Sequence, residues 1–234
     1  MNCSTARQGR RALSAAAARW ARHTTRLGTG MVLSLAALAP LAALVATPAP
    51  AWAVNTEIAG VRYEPTIKVE GQTLQLNGSG LSYKALQKVY TVGLYVTTKN
   101  SNADALLKAP GPKQLRFVML VPMRVDELGK LIARGIEANS SREEFRELIP
   151  ATVEMGRIFS HMKRMVPGDT IAIEYVPQRG TVFFVNGQPS GLPIQMTAFF
   201  NAVLRVWIGK APTTQDLKNA LLDYQAPPLL DALN

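Results

Sequence analysis

The chain has 234 residues and a formal net charge of +10, but six arginines and no acid lie in the first 30 residues, so residues 54–234 carry only +4. That small excess, mixed with 16 acids, argues against a nucleic-acid-binding protein. The one cysteine is Cys3, and residues 54–234 contain a single histidine, His161. Disulfides and thiolate chemistry are therefore excluded there, and a zinc site or a Ser-His triad would depend on one residue.

The N-terminal segment has the pattern of a secretory signal peptide. Its basic region is followed by the apolar residues 31–45 and by Ala51-Trp52-Ala53, which matches an A-x-A cleavage site. The apolar stretch is short and is broken by Pro40, so it does not predict a membrane span. We expect a signal peptide over residues 1–53, one domain over residues 54–234 without a membrane span, and a periplasmic or secreted location. An uncleaved anchor is the alternative.

Alternating and β-branched runs predict an antiparallel sheet. Tight turns are predicted at Gly71-Gln72 and at Asn77-Gly78, where the alternation stops. An Asn-Gly pair also follows the last predicted strand. The predicted strands cover residues 62–69, 73–78, 89–96 and 114–121 and a hairpin over residues 170–185.

Helices are predicted where apolar residues recur every three or four positions. The first has Asp126 as its expected N-cap, and one apolar face formed by Leu128, Leu131, Ile132 and Ile136. The second opens with Ser141 and Glu144 in capping-box spacing and is interrupted by Pro150. Strands, helices, a hairpin and further helices predict an α+β fold, with helices on one face of an antiparallel sheet.

The C-terminal region predicts two more helices. Residues 199–207 place bulky apolar side chains on a broad stripe, and Thr213 or Thr214 is expected to cap a last helix that ends at Leu222. The stripe is typical of a protein core, although the same side chains can also line a cavity for an apolar ligand.

Three patterns with possible chemistry favour structural interpretations. Gly78 and Gly80 precede Lys84, but the spacing does not match a G-x-x-x-x-G-K-[ST] phosphate loop, so turn geometry explains the glycines better. His161 has no metal ligand at helical spacing. The acidic cluster at residues 143–147 alternates with arginines, which predicts a solvated helix face.

Four segments in a fixed order resemble the chalcone isomerase fold family, and most of all its bacterial, exported branch. The segments are LNGSGLSYKALQKVYTVGLYV, PGPKQLRFVMLV, DELGKLIARGIEA and AVLRVWIGKAPTTQDLKNALL. The resemblance covers residues 57–223. It implies an open-faced sandwich, in which helices are layered on one face of a large antiparallel sheet. The family includes plant enzymes that close chalcones to flavanones and non-enzymatic members that bind fatty acids.

This chain differs from the enzymes at all five polar positions that the resemblance assigns to catalysis. In their place stand Ser82 for an arginine, Tyr90 for a threonine, Leu128 for a tyrosine, Gly135 for an asparagine and Val206 for a threonine. Losing a single oxyanion donor costs on the order of a hundredfold in rate. We therefore expect no useful cyclase activity.

The leading hypothesis is an exported, non-catalytic binding protein for a hydrophobic or amphipathic small molecule such as a fatty acid. Lys84 lies two residues after Ser82 and can share its face of a strand, but an ammonium does not reproduce the two-pronged grip of a guanidinium. The fatty-acid-binding members resemble this chain at Tyr90 but keep the arginine. The expected site has Ser82, Lys84 and Tyr90 at its polar end and Leu128, Gly135 and Val206 along its wall, with no metal or cofactor.

Two alternatives stay open. The first is an intramolecular lyase or isomerase acting on a flavonoid-like or other enone substrate, with Tyr90 as acid and Lys84 as cation. The second is a structural or assembly partner in the cell envelope without a small ligand, for which a fully packed interior is expected. Whether Ser82, Tyr90 and Val206 converge on one cavity distinguishes binding from this last alternative.

Overall fold

The computed structural model describes residues 56–161 and 164–223, so the predicted signal peptide lies outside the described residues. None of the described helices is long and apolar enough to cross a membrane. The strands are β1 (Thr56–Ile58), β2 (Val61–Tyr63), β3 (Thr66–Val69), β4 (Gln72–Lys84), β5 (Gln87–Val96), β6 (Lys113–Met119), β7 (Met123–Arg124), β8 (Arg164–Met165), β9 (Thr170–Val176), β10 (Gly180–Val185) and β11 (Gln188–Ile194). The helices are α1 (Ala103–Lys108), α2 (Val125–Ala138), α3 (Arg142–Ser160), α4 (Thr197–Ile208) and α5 (Gln215–Leu221).

A seven-stranded antiparallel sheet confirms the predicted α+β fold. Its strand order is β11-β10-β9-β6-β5-β4-β3. The hairpin predicted over residues 170–185 is formed by β9 and β10, and the Asn-Gly pair turns the chain into β11 with Asn186 and Gly187 at φ of 49° and 77°. Both residues accept the left-handed conformation that such a turn requires.

Alternation along the central strands gives the sheet two different faces. One face packs against the helices and forms the main core, to which Leu94, Phe117 and Ile173 contribute with Phe200 and Trp207 of α4. The opposite face carries a smaller core around Tyr63, Leu74 and Tyr95. The aromatic stripe predicted over residues 199–207 is therefore core, because its bulky side chains are fully buried.

The predicted turn at Asn77-Gly78 is wrong, because β4 continues through these residues to Lys84. The pair marks a β-bulge between Leu76 and Gly78, and α5 crosses the strand there. A Cβ on Gly78 would lie 2.2 Å from the carbonyl oxygen of Ala220. The glycine is therefore needed for a close approach of helix and strand, which the side-chain amide of Asn77 reinforces by donating to the carbonyl oxygen of Leu221 at 2.8 Å.

Two helix predictions also need correction. The N-cap of α2 is Arg124 rather than Asp126, whose carboxylate instead pairs with Arg124 and Lys130. Helix α3 runs without interruption through Pro150, which is exposed. The proline removes one helical hydrogen bond, but burial of Leu148, Ala151 and Met155 on the other side of the helix holds the turns on both sides of it in place.

The other predicted caps are confirmed, and one helix was missed. Ser141 accepts a hydrogen bond from the backbone N–H of Glu144, and Thr214 accepts one from the N–H of Leu217. Helix α1 was not predicted because it is a single short segment, although Asn102 caps it through the N–H of Ala105.

Candidate functional site

An open pocket of about 590 Å³ lies at one end of the sheet. Its walls come from the tip of the β4–β5 hairpin, from one face of α2, from α4 and from the loop at residues 211–213. The volume is within the range of small-molecule sites, roughly 300–1,000 Å³. A second cavity, of about 610 Å³, lies between α1, α4 and α5, but it contains none of the predicted site residues and is lined largely by polar side chains.

All six residues of the expected site border the first pocket. Strand β4 contributes Ser82 and Lys84, and β5 contributes Tyr90, which is the cross-strand partner of Ser82. The remaining three are Leu128 and Gly135 from α2 and Val206 from α4. The convergence of Ser82, Tyr90 and Val206 on one cavity is the geometry that a binding role requires. Their contact with a ligand stays a prediction.

Tyr90 forms the floor of the pocket and belongs to an aromatic cluster that lies behind it. The Trp207 indole donates to the Tyr90 hydroxyl at 3.2 Å, and Ser82 lies opposite Tyr90 on the neighbouring strand. Phe117 packs against both rings, with centroid distances of 5.6 Å to Tyr90 and 5.0 Å to Trp207. Burial raises the pKa of Tyr90 and outweighs the opposite effect of the neighbouring Ser82 and Trp207 side chains. Tyr90 is therefore a neutral phenol that closes the floor.

The wall positions Gly135 and Val206 pack directly on one another. A Cβ on Gly135 would lie 2.5 Å from Cγ1 and 2.8 Å from Cγ2 of Val206. Two helices approach this closely only where one of them presents a glycine. Leu128, two turns before Gly135 on α2, is buried, whereas Leu131, one turn before it, is half-buried and borders the open part of the pocket.

The rim of the pocket is cationic. Lys84, Lys130 and Arg134 border it together with one carboxylate, Glu127. The Lys84 side chain is 81% exposed, and its Nζ lies 4.0 Å from Glu127. Lys84 therefore belongs to the rim, whereas the expected site placed it beside the buried phenol.

Sequence reasoning missed Lys130 and Arg134. Residues 127, 131, 134 and 138 recur at helical spacing and all border the pocket, but the sequence shows only the spacing. Charged positions on an exposed helix face have no feature that separates a binding rim from an ordinary solvated surface. Only the placement of α2 beside the β4–β5 hairpin makes the distinction.

The other candidate residues have structural roles. His161 is exposed at the end of α3, and no group of three metal-binding side chains occurs among residues 56–161 and 164–223. The acidic cluster is only partly solvated as predicted: Glu143 and Glu147 are exposed, but Glu144 is half-buried and forms an ion pair with Arg205 of α4. That pair fixes α3 to α4. Both charges are partly removed from water, and each is stabilised there by the other.

Comparison with known proteins agrees with this architecture. Residues 55–223 match the model of a family described as chalcone isomerase-like. Among solved structures, a fatty-acid binding protein of Arabidopsis thaliana superposes with a TM-score of 0.59 at 14% sequence identity, over 73% of this chain and 96% of that chain. At this identity the likeness shows the fold alone. No curated protein matches the chain. Because the family match spans most of the sequence, the chain belongs to the chalcone isomerase-like family.

Proposed function

We propose that the chain is a non-catalytic binding protein for a hydrophobic or amphipathic small molecule, such as a fatty acid. The observation that carries the proposal is the open pocket of about 590 Å³ on which all six expected residues converge. The fatty-acid binding protein of the same fold makes an acyl chain the first ligand to test.

The lining of the pocket supports an apolar ligand. Val89, Leu131 and Met123 present hydrocarbon surface, and the hydroxyl of Tyr90 accepts a hydrogen bond from Trp207. Each CH₂ group moved from water to such a surface contributes about 0.8 kcal/mol. A bound chain of eight to ten carbons therefore gains enough to offset a cost of association of several kcal/mol.

The same geometry gives the enzymatic alternative little support. Its proposed acid, Tyr90, has a raised pKa because it is buried, and its hydroxyl accepts a hydrogen bond from Trp207. Its proposed cation, Lys84, is mostly exposed and lies beside Glu127. An enzyme that stabilises an enolate needs donors aimed at the developing charge, and the positions that the resemblance assigns to them are occupied by Leu128, Gly135 and Val206.

We also propose that the protein is exported, as the basic and apolar pattern of residues 1–53 predicts. Cell fractionation and the N-terminal sequence of the recovered protein test this. A mature N-terminus at Val54 in the periplasmic or extracellular fraction is the expected result, and an intact chain in the cytoplasm would contradict it.

Ligand binding is tested directly by extraction and by occlusion. Mass spectrometry of an organic extract of the purified protein is expected to identify a co-purifying apolar molecule, and Nile red fluorescence should rise on binding. The variant Ala138→Phe places a ring on an exposed helix position at the pocket and should weaken Nile red binding at least about tenfold. The matched variant Ala198→Phe, exposed on α4 outside the pocket, should leave it unchanged. Equal binding by both variants, or none by the parent protein, would contradict the proposal.

A further inference from the structure

Binding a charged head group at the floor of the pocket would be energetically unfavourable. Tyr90 is 1% exposed, and its hydroxyl already accepts a hydrogen bond from Trp207. No basic side chain of the pocket-lining set lies on the floor, since Lys84, Lys130 and Arg134 all come from exposed positions. A carboxylate buried there would be desolvated without a partner, which is strongly unfavourable. The polar end of an amphiphile therefore belongs at the rim.

The rim cations differ in whether they are paired. Lys130 lies 3.2 Å from Asp126, and Lys84 lies 4.0 Å from Glu127. Arg134, in contrast, has no carboxylate within 4.0 Å among the residues that the structure describes. A ligand anion can therefore pair with Arg134 without displacing an acid of the protein.

Charges along α2 give the pocket two unlike ends. Glu127 and Arg134 are seven residues apart on one face, which corresponds to about 10.5 Å along the axis. At one end Glu127 is paired with Lys84, so that end offers an anion no described cation that is free of an acid. At the other end, Asn139 holds the loop by accepting from the N–H of Ala211 at 2.8 Å.

One factor opposes an anion at this end of the helix. The C-terminus of α2 carries a partial negative charge of about half a unit. Its carbonyl groups are partly satisfied, because the backbone and side-chain amides of Asn139 both donate to Gly135, at 3.2 and 2.9 Å. The full charge and planar fork of a guanidinium outweigh the remainder and suit a carboxylate in particular.

We propose that the pocket selects single-chain amphiphiles with a carboxylate head group, which Arg134 binds at the rim while the chain runs inward toward Leu131 and Val206. The proposal rests on the binding function above and adds to it the ligand class, the direction of insertion and the head-group residue.

The test compares two ligands that share a chain and differ in charge. Decanoate and decan-1-ol are titrated into the purified full-length protein, and their affinities are measured by displacement of the uncharged dye Nile red. The parent protein should bind decanoate about tenfold more tightly than decanol at low ionic strength, and 0.5 M NaCl should narrow the difference. The variant Arg134→Gln should lower the affinity for decanoate about tenfold and change the affinity for decanol less than twofold.

Matched variants separate this role from general effects of charge. Arg146→Gln removes an exposed cation from α3, outside the pocket, and should leave both affinities unchanged, whereas Lys84→Gln should weaken decanoate less than Arg134→Gln does. Equal affinity of the two ligands, or equal loss of both on Arg134→Gln, would overturn the assignment but keep a binding protein. If neither ligand nor the dye bound to the parent protein, the proposed function would fail as well.

Discussion

Because Gly135 and Val206 are in close contact, we expect Gly135→Ala to destabilise the parent protein but to stabilise a variant with a smaller residue at position 206. The variant Gly135→Ala places a Cβ 2.5, 2.8 and 3.1 Å from Cγ1, Cγ2 and Cβ of Val206. Overpacking of this kind costs about 1–3 kcal/mol, whereas alanine is favoured over glycine in a helix by about 0.5–1 kcal/mol. We therefore expect a net loss of about 1–2 kcal/mol in the free energy of unfolding.

The variant Val206→Ala should reverse the effect. Alone it removes two buried methyl groups and should cost about 2–3 kcal/mol, from about 0.8 kcal/mol per group plus a cavity term. It also removes both of the shortest contacts with the new Cβ. In that background Gly135→Ala should stabilise the protein by about 0.5–1 kcal/mol, because the remaining 3.1 Å contact with Cβ of residue 206 needs only a small shift and the helix preference then dominates. The coupling energy of the double-mutant cycle is then about 2 kcal/mol, a size typical of residues in direct contact.

Urea unfolding followed by circular dichroism measures all four corners of the cycle. The control is Gly156→Ala in α3, where a Cβ meets nothing within 4 Å, and it should stabilise the protein by about 0.5–1 kcal/mol in either background. If Gly135→Ala destabilised the two backgrounds equally, the close approach of α2 and α4 would not be the reason for the glycine, and the packing of the pocket wall described above would be refuted.

Three further predictions concern the floor, the bulge and the outer face of the sheet. Tyr90→Phe leaves the Trp207 indole N–H buried without its partner, and urea titration should show a loss of about 1–3 kcal/mol; an unchanged midpoint would contradict the role of the phenol in closing the floor. Gly78→Ala drives a Cβ to 2.2 Å from the Ala220 carbonyl, so the cost should be at least about 3 kcal/mol and the melting temperature should fall by at least about 6 °C; a smaller shift would show that α5 can move away easily. Burial raises the pKa of Glu174 above its usual 4.5, so its carboxyl stabilises the fold most when protonated, and that stabilisation is lost as pH rises through the raised pKa. Glu174→Gln should therefore be more stable than the parent at pH 7 and equal to it below pH 4, and equal stability at both pH values would contradict the shift.

Local sequence patterns predicted most of the sheet and its hairpins. Alternation and β-branched residues are properties of neighbouring positions, and Asn186-Gly187 suits one kind of tight turn in nearly any context. The pair at Asn77-Gly78 misled for a physical reason. Its glycine exists to admit α5, which is more than 130 residues away in the chain, so no local pattern distinguishes it from a turn. The predicted break of the helix at Pro150 was wrong for a similar reason. Burial of one side of α3 outweighs the hydrogen bond that the proline lacks.

The inner part of the site was predictable, and its rim was not. Ser82 and Tyr90 are fixed by glycines on the same strands, so the family resemblance placed them at the right end of the sheet, and the structure brings them together with Val206. Arg134 is an exposed helical cation like several others on α2 and α3. What sets it apart is that it borders an apolar cavity and lacks an acidic neighbour among the described residues. Both properties depend on tertiary placement.

The bond from Asn77 to the carbonyl oxygen of Leu221 spans 144 positions of the chain. Contacts of such long range form slowly, since a large loop must close before they contribute. During synthesis on a ribosome, β4 and β5 are complete long before residue 221 has been added. This part of the sheet is therefore not yet covered by α5. Its Gly78–Gly80 segment, which α5 covers in the folded protein, stays uncovered during that interval and is open to a chaperone or to a mistaken strand partner.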